Sequence, residues 1–145
     1  MAVPPTSQPR RWTVEVDGIR WLPRMIDKSR MREAGALGPY LLGHSPVDRS
    51  LLERLKMTTD EFAAIACRCS DDAAVLAALR THGFDEARVR RWSDRFEETW
   101  KRYIALWDAD EGYCEPKPFE RPLLGLLRTI EGPLMALARK VLKAP

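Results

Sequence analysis

Apolar residues recur at helical spacing along most of the chain, and this pattern predicts an all-α fold. The clearest case is a row of side chains three or four residues apart, which comprises Val89, Trp92, Phe96, Trp100, Tyr103 and Trp107. The row predicts one long helix over about residues 86–108, with Glu86 and Arg90 paired one turn apart on its polar face. We expect the other helices to pack around its aromatic side.

Residues with known helix-terminal preferences bound four further predicted helices. The first begins near Pro23 and ends at Gly35, since proline suits a first turn and glycine follows a last one. The others cover residues 47–55, 58–68 and 70–83. Thr58 and Glu61 have the spacing of a capping box, and Ser70 is the predicted cap of the last helix.

Proline and glycine divide the chain into four predicted parts. Residues 1–11 contain three prolines and form an N-terminal arm, and residues 12–109 form the helical core. Residues 110–122 hold three more prolines and form a connector, followed by two apolar helical pieces at 123–145 that pack on the core. Within the core, residues 12–21 alternate around Asp17-Gly18 and predict an extended segment with a turn. A single domain of about five to seven helices results.

Composition and charge exclude several classes of protein. The chain has 145 residues, of which 45% are hydrophobic and 31% are charged, and its net charge is +3. These proportions are typical of one soluble domain, and so small an excess of positive charge argues against a nucleic-acid partner. On the long helix, acidic neighbours dilute the basic residues Arg88, Arg90, Arg91 and Arg95.

The C-terminal pieces bear on membranes and assembly. Charged residues interrupt the apolar stretch at 122–142, so it does not predict a spanning helix. The helix at 133–143 is amphipathic, and we favour docking on the domain or on a second copy, giving a homodimer, over a membrane surface.

Three cysteines, Cys67, Cys69 and Cys114, bear on the compartment and on cofactors. Their odd number and the lack of a signal-peptide pattern favour a reducing cytoplasm. Cys67-x-Cys69 lacks the usual zinc-ligand spacing, and the chain has no phosphate-binding or dinucleotide-binding motif. The sequence therefore predicts neither a metal nor a cofactor.

Four basic residues, Arg20, Arg24, Lys28 and Arg32, follow one another at four-residue intervals. Like charges at this spacing repel each other by about 0.2–0.5 kcal/mol per pair. The row is therefore either solvated or matched to negative groups. An irregular loop with three glycines and two prolines follows it at residues 35–46, and such loops commonly carry functional groups.

This arrangement predicts a ligand-binding site for a small carboxylate or phosphate. Arg24 and Lys28 would hold the anion, while Tyr40 would donate a hydrogen bond to it. Asp27 and Asp48 would orient the basic groups. The structural alternative is that Arg24 and Asp27 form internal bonds with Asp48 or with backbone carbonyls and fasten the loop.

Two further interpretations remain open. In the first, the protein is a small cofactor-independent enzyme in which Tyr40, His44 and Asp48 transfer protons beside Arg24 and Lys28. In the second, it is a structural bundle that binds a partner through its terminal helices. Pro46 interrupts any single helix that would align the three proton-transfer candidates.

The sequence LPRMIDK at residues 22–28 is the most specific motif in the chain. It is accompanied by a set of matching positions, namely Arg30, Gly35, Leu37, Gly38, Tyr40, Asp48, Leu51, Leu52, Phe62, Ser70, Asp71, Val75, Leu76 and Trp92. Together they resemble an uncharacterised bacterial family, domain of unknown function 5069, over about residues 17–95. The resemblance implies a small helical bacterial protein and no particular activity, and residues 96–145 lie beyond it.

Overall fold

Helices dominate the computed structural model of this chain, which describes residues 7–115 and 122 and confirms the predicted fold class. The elements in chain order are β1 (Glu15–Val16), β2 (Ile19–Arg20), α1 (Leu22–Glu33), α2 (Pro46–Leu55), α3 (Thr59–Arg68), α4 (Asp72–His82), α5 (Glu86–Asp94) and α6 (Phe96–Asp110). The chain divides into two compact units, residues 1–96 and 97–145. The predicted helices at 123–145 lie outside the described residues. None of the described helices is long and apolar enough to cross a membrane.

A minimal antiparallel hairpin opens the first unit. Two-residue strands β1 and β2 pair with each other, and the turn between them consists of Asp17 and Gly18. Both turn residues have positive φ, 48° and 75°, as a tight hairpin turn with right-handed twist requires. The predicted turn is present. The residues on either side of it pair as short strands, whereas the sequence predicted only an extended segment. The hydroxyl of Ser93 supports them from α5 by donating to Gly18 O and accepting from Arg20 N.

Two helix N-termini show how far local spacing predicts a cap. The capping box of α3 is confirmed, with Thr58 accepting from the Glu61 amide and Glu61 accepting from the Thr58 amide. At α4 the predicted cap is wrong, because Asp71 rather than Ser70 accepts from the Ala74 amide, at 2.8 Å. A carboxylate is the stronger acceptor beside a helix N-terminus, and this backbone hydrogen bond lowers the pKa of Asp71.

The single long helix predicted over residues 86–108 is also wrong, since it is interrupted between α5 and α6. Arg95 has φ −93° and ψ 5°, outside the α-helical region. The next residue, Phe96, packs against the rings of Trp12, Trp21 and Trp92 at centroid distances of 6.0, 5.6 and 5.2 Å. One non-helical residue leaves the apolar spacing intact, so the sequence pattern does not reveal the break.

The core of the first unit surrounds α1, which packs against α3, while α2 packs against α5. Its largest fully buried side chains are Trp21, Phe62, Phe96, Ile19, Leu22, Met25, Ile26, Met31, Leu51, Leu55, Leu79 and Val47. Charged residues of α1, Arg24 and Lys28, are buried with them. Because a buried charge is costly unless it is paired, these two side chains need partners inside the protein.

Four charged side chains at the surface, two of them partly buried, join the hairpin turn to α4 and α5. Arg80 lies 2.5 Å from Asp17 and 2.7 Å from Glu86, and Arg90 lies 2.9 Å from each of the same two carboxylates. The Glu86–Arg90 contact is the pair that the sequence predicted. Hydrogen bonds from Arg80 and then Arg90 lower the pKa of Glu86 from 4.5 to about 2 and also lower that of Asp17.

Acid should therefore weaken the fold through this cluster. A carboxylate whose pKa is depressed on folding adds stability above its unfolded pKa and loses it as the pH falls through the folded value. For Glu86 this window runs from about 4.5 down to about 2. We expect the urea-derived free energy of unfolding to fall across that range, and to fall less steeply in Glu86→Gln.

Glu53→Gln removes the same charge from an exposed carboxylate 3.6 Å from Arg88 and controls for net charge. Equal slopes in wild type and Glu86→Gln would show that the cluster does not contribute.

Candidate functional site

Lys28 of α1 and Asp48 of α2 form a buried ion pair. The Lys28 ammonium lies 2.7 and 2.6 Å from the two carboxylate oxygens, and it also donates to Leu41 O at 3.1 Å. Lys28 is 3% exposed and Asp48 is 0% exposed. An ammonium has three N–H donors, so these acceptors satisfy all of them.

The Asp48 carboxylate collects hydrogen bonds from three parts of the chain. Besides Lys28, the indole N–H of Trp21 donates to Oδ1 at 2.7 Å and the amide of Gly43 donates to Oδ2 at 2.8 Å. The Asp48 amide donates to Ser45 Oγ, the cap of α2, at 3.1 Å. One side chain thus fixes the start of α1, the loop and the start of α2 relative to one another.

Trp21 occupies an unusual backbone conformation just before α1. Its φ of 67° and ψ of −24° lie in the left-handed region, which bulky residues rarely adopt. The buried ring holds the residue there through its bond to Asp48 and its contact with Phe96 at 5.6 Å. Arg24 and Lys28 lie within 5.1 and 5.5 Å of its ring centroid, at cation–π distance.

Arg24 lies between two aromatic rings. Its guanidinium carbon is 5.1 Å from the centroid of Trp21 and 5.6 Å from that of Tyr40. Nη1 donates to Arg10 O at 3.0 Å. Arg24 therefore joins the loop, through half-buried Tyr40, and the N-terminal segment to α1.

Asp27 contacts Arg10, a residue of the predicted N-terminal arm. The backbone amide, Nε and Nη2 of Arg10 each donate to the Asp27 carboxylate at 2.8 Å. The same guanidinium donates to both oxygens of Asp72 on α4. The hydrogen bonds that Arg10 donates to Asp72 and then to Asp27 raise the pKa of its guanidinium. Asp27 therefore orients Arg10, where the sequence interpretation had it orient the basic row of α1.

The remaining members of the basic row also have acidic neighbours. Arg20 lies 2.8 Å from Glu15, and Arg32 lies 3.1 Å from Asp60. All four residues of the row are thus in contact with acceptors of the protein itself. This geometry favours the structural alternative, in which the charges fasten the loop.

The proton-transfer candidates do not meet in the described part of the chain. His44 is exposed, directly before the Ser45 cap and the proline that begins α2. The carboxylate of Asp48 accepts from Lys28, Trp21 and Gly43, not from His44. The Tyr40 ring instead faces Arg24.

The cysteines are free thiols, with Cys67 and Cys114 exposed and Cys69 partly buried. Burial and the nearby carboxylate of Glu33 raise the pKa of the Cys67 thiol. Over residues 7–115, no group of three or more histidine, cysteine or acidic side chains has an arrangement that could hold a metal ion.

A small helical domain that fastens its main loop with a buried ion pair is the class that the fold and the site define. Residues 6–113 match the family model described as Domain of unknown function (DUF5069), so the chain belongs to this family. No curated protein and no solved structure matches. The match extends beyond residues 17–95 in both directions. The family pattern thus includes Arg10 and α6, contrary to our sequence-based limit at residue 95.

Gly43→Ala should strongly destabilise the protein. Gly43 has φ +81°, and a Cβ there would lie 2.0 Å from Oγ1 and 2.9 Å from Cβ of Thr59. Left-handed strain and overpacking together predict a loss of about 2–5 kcal/mol in the free energy of unfolding. Urea denaturation measures the loss.

The matched control is Gly35→Ala, because Gly35 has φ +68° but no atom within 4 Å of the added Cβ. It should cost only the backbone strain, about 1–2 kcal/mol. Equal losses in the two variants would contradict the close approach of Gly43 to Thr59.

Removing one member of the ion pair should cost more than neutralising both. Lys28→Met leaves the Asp48 carboxylate buried without its counter-charge, for an expected loss of about 3–5 kcal/mol. In Lys28→Met/Asp48→Asn neither of the two side chains is charged, and the amide oxygen still accepts a hydrogen bond. We expect the double variant to be more stable than Lys28→Met alone in urea denaturation at neutral pH. Additive losses would show that the two groups are not coupled.

Proposed function

We propose that this domain is a non-catalytic binding module that recognises another macromolecule through its exposed surface. The observation that carries the proposal is the internal engagement of Lys28 and Asp48. Both are buried, and their hydrogen-bonding groups are satisfied by the protein. The side chains that the sequence marked for chemistry therefore serve to hold the module in one shape.

That shape includes a loop presented at the surface. Three contacts fix residues 35–45, since Leu41 O accepts from Lys28, the Gly43 amide donates to Asp48, and the Tyr40 ring faces Arg24. A loop that is rigid before binding loses less conformational entropy when it binds. Buried polar groups that fix a conformation suit a recognition surface of this kind.

A small-anion site at Arg24 and Tyr40 is the second candidate function. It is favoured by one observation, the half-buried Tyr40 ring beside the Arg24 guanidinium. The site would bind a carboxylate or phosphate that reaches the Arg24 guanidinium beside the edge of the Tyr40 ring. Arg24 is only 5% exposed, so binding there requires Tyr40 or the N-terminal segment to move.

Titration with small anions distinguishes the two candidates. We expect acetate, succinate and inorganic phosphate to raise the melting temperature no more than sodium chloride of equal ionic strength. The indole N–H resonance of Trp21 should also stay in place, because Asp48 already accepts from it.

A saturable shift of the Trp21 resonance in the wild-type protein, together with loss of that shift in Arg24→Met, would overturn the binding-module proposal. Tyr40→Phe provides the same test without changing a charge, in case Arg24→Met does not fold.

A further inference from the structure

Two neighbouring helices of the first unit share an exposed basic surface. The Trp92 indole of α5 donates to Ser50 Oγ of α2 at 3.0 Å, and the Arg54 guanidinium lies 5.9 Å from the Trp92 ring centroid. Arg88 lies 3.6 Å from Glu53 across the same junction. We call the surface the α2/α5 basic face, and it consists of Arg49, Arg54, Arg88, Arg91 and Arg95.

Glu86, one of the acidic neighbours in the sequence, pairs with Arg80 and Arg90 on another side of α5. Arg90 is turned away from the face, where it pairs with Asp17 and Glu86. Asp94 follows Arg90 by four residues and Arg91 by three, so it lies at the edge of the face.

The arginines of the face differ in how far they are paired within the protein. Arg49, Arg91 and Arg95 are exposed, and none of them forms an ion pair within the described residues. Glu53 lies 3.6 Å from Arg88, which is longer than a normal hydrogen bond. Asp85, the cap of α5, accepts from the Arg88 backbone amide at 3.0 Å. Arg54 is half-buried and donates to Ser50 O and Oγ at 2.8 Å. The exposed guanidinium groups of Arg49, Arg91 and Arg95 are therefore the ones open to a partner.

We propose that the α2/α5 basic face binds an acidic segment of a partner protein. This inference rests on the proposed function, and it names the surface and the chemistry of its partner. Each guanidinium presents a planar fork of N–H donors that matches a carboxylate in a bidentate pair. Helices of nine and ten residues are about 15 Å long, which matches about five residues of an extended peptide.

Nucleic acid fits this face less well. Single strands are bound largely by stacking of bases on aromatic rings, and Trp92 is only 8% exposed beneath Arg54. Duplex-binding surfaces commonly engage about six to ten phosphates, more than a face with five arginines can pair. The partner is therefore assigned as a protein segment rich in aspartate and glutamate.

The test is fluorescence anisotropy with a labelled glutamate-rich peptide at low ionic strength. We expect saturable binding that weakens as salt is added, because exposed pairs are screened. Arg91→Glu/Arg95→Glu should raise the Kd by at least about tenfold, since two pairs are replaced by repulsions. Both side chains are exposed and unpaired within the described residues, so circular dichroism should show an unchanged fold.

Lys101→Glu/Arg102→Glu is the matched control, because it makes the same change in net charge at exposed positions on α6. Equal weakening by both variants would show a net-charge effect and overturn the proposal. Absence of saturable binding would overturn it as well. Tighter binding of an oligonucleotide at the same salt concentration would overturn the choice of an acidic protein segment as the partner. It would not contradict the binding-module function, which the small-anion titration tests separately.

Discussion

The buried carboxylate of Asp48 is the interaction on which the arrangement of the first unit depends. It receives hydrogen bonds from Lys28 of α1, from the Trp21 indole before α1, and from the Gly43 amide of the loop. A carboxylate removed from water is stable only when such donors surround it, so each donor must stay in position. The left-handed backbone of Trp21 and the close approach of Gly43 to Thr59 are local strains that this requirement explains.

Features of the fold that depend on near neighbours were predictable from the sequence. The capping box of Thr58 and Glu61 involves residues three apart, and the structure has it as predicted. The break at Arg95 was not predictable, because it depends on how Phe96 packs among tryptophans from other segments. Asp71, not Ser70, caps α4. Serine and aspartate have similar preferences for the cap position, so sequence spacing alone does not decide between two adjacent candidates.

The basic row on α1 was visible in the sequence, and so was the choice between a ligand and internal partners. The sequence could not show which acidic residue or carbonyl group each basic side chain contacts in the fold. Lys28 and Asp48 are 20 residues apart, and Arg10 and Asp72 are 62 apart, so no local pattern links either pair. The α2/α5 basic face was likewise hidden, because its arginines belong to two helices that are adjacent only once α2 and α5 pack.

The bonds of Arg10 have a consequence for the order in which the protein matures. A chain is synthesised from its N-terminus, so Arg10 leaves the ribosome long before Asp72 exists. Asp27 is available early, whereas the second carboxylate arrives only after three helices have been made. The N-terminal segment is thus among the first residues translated, yet a nascent chain shorter than 72 residues cannot form its bonds to Asp72.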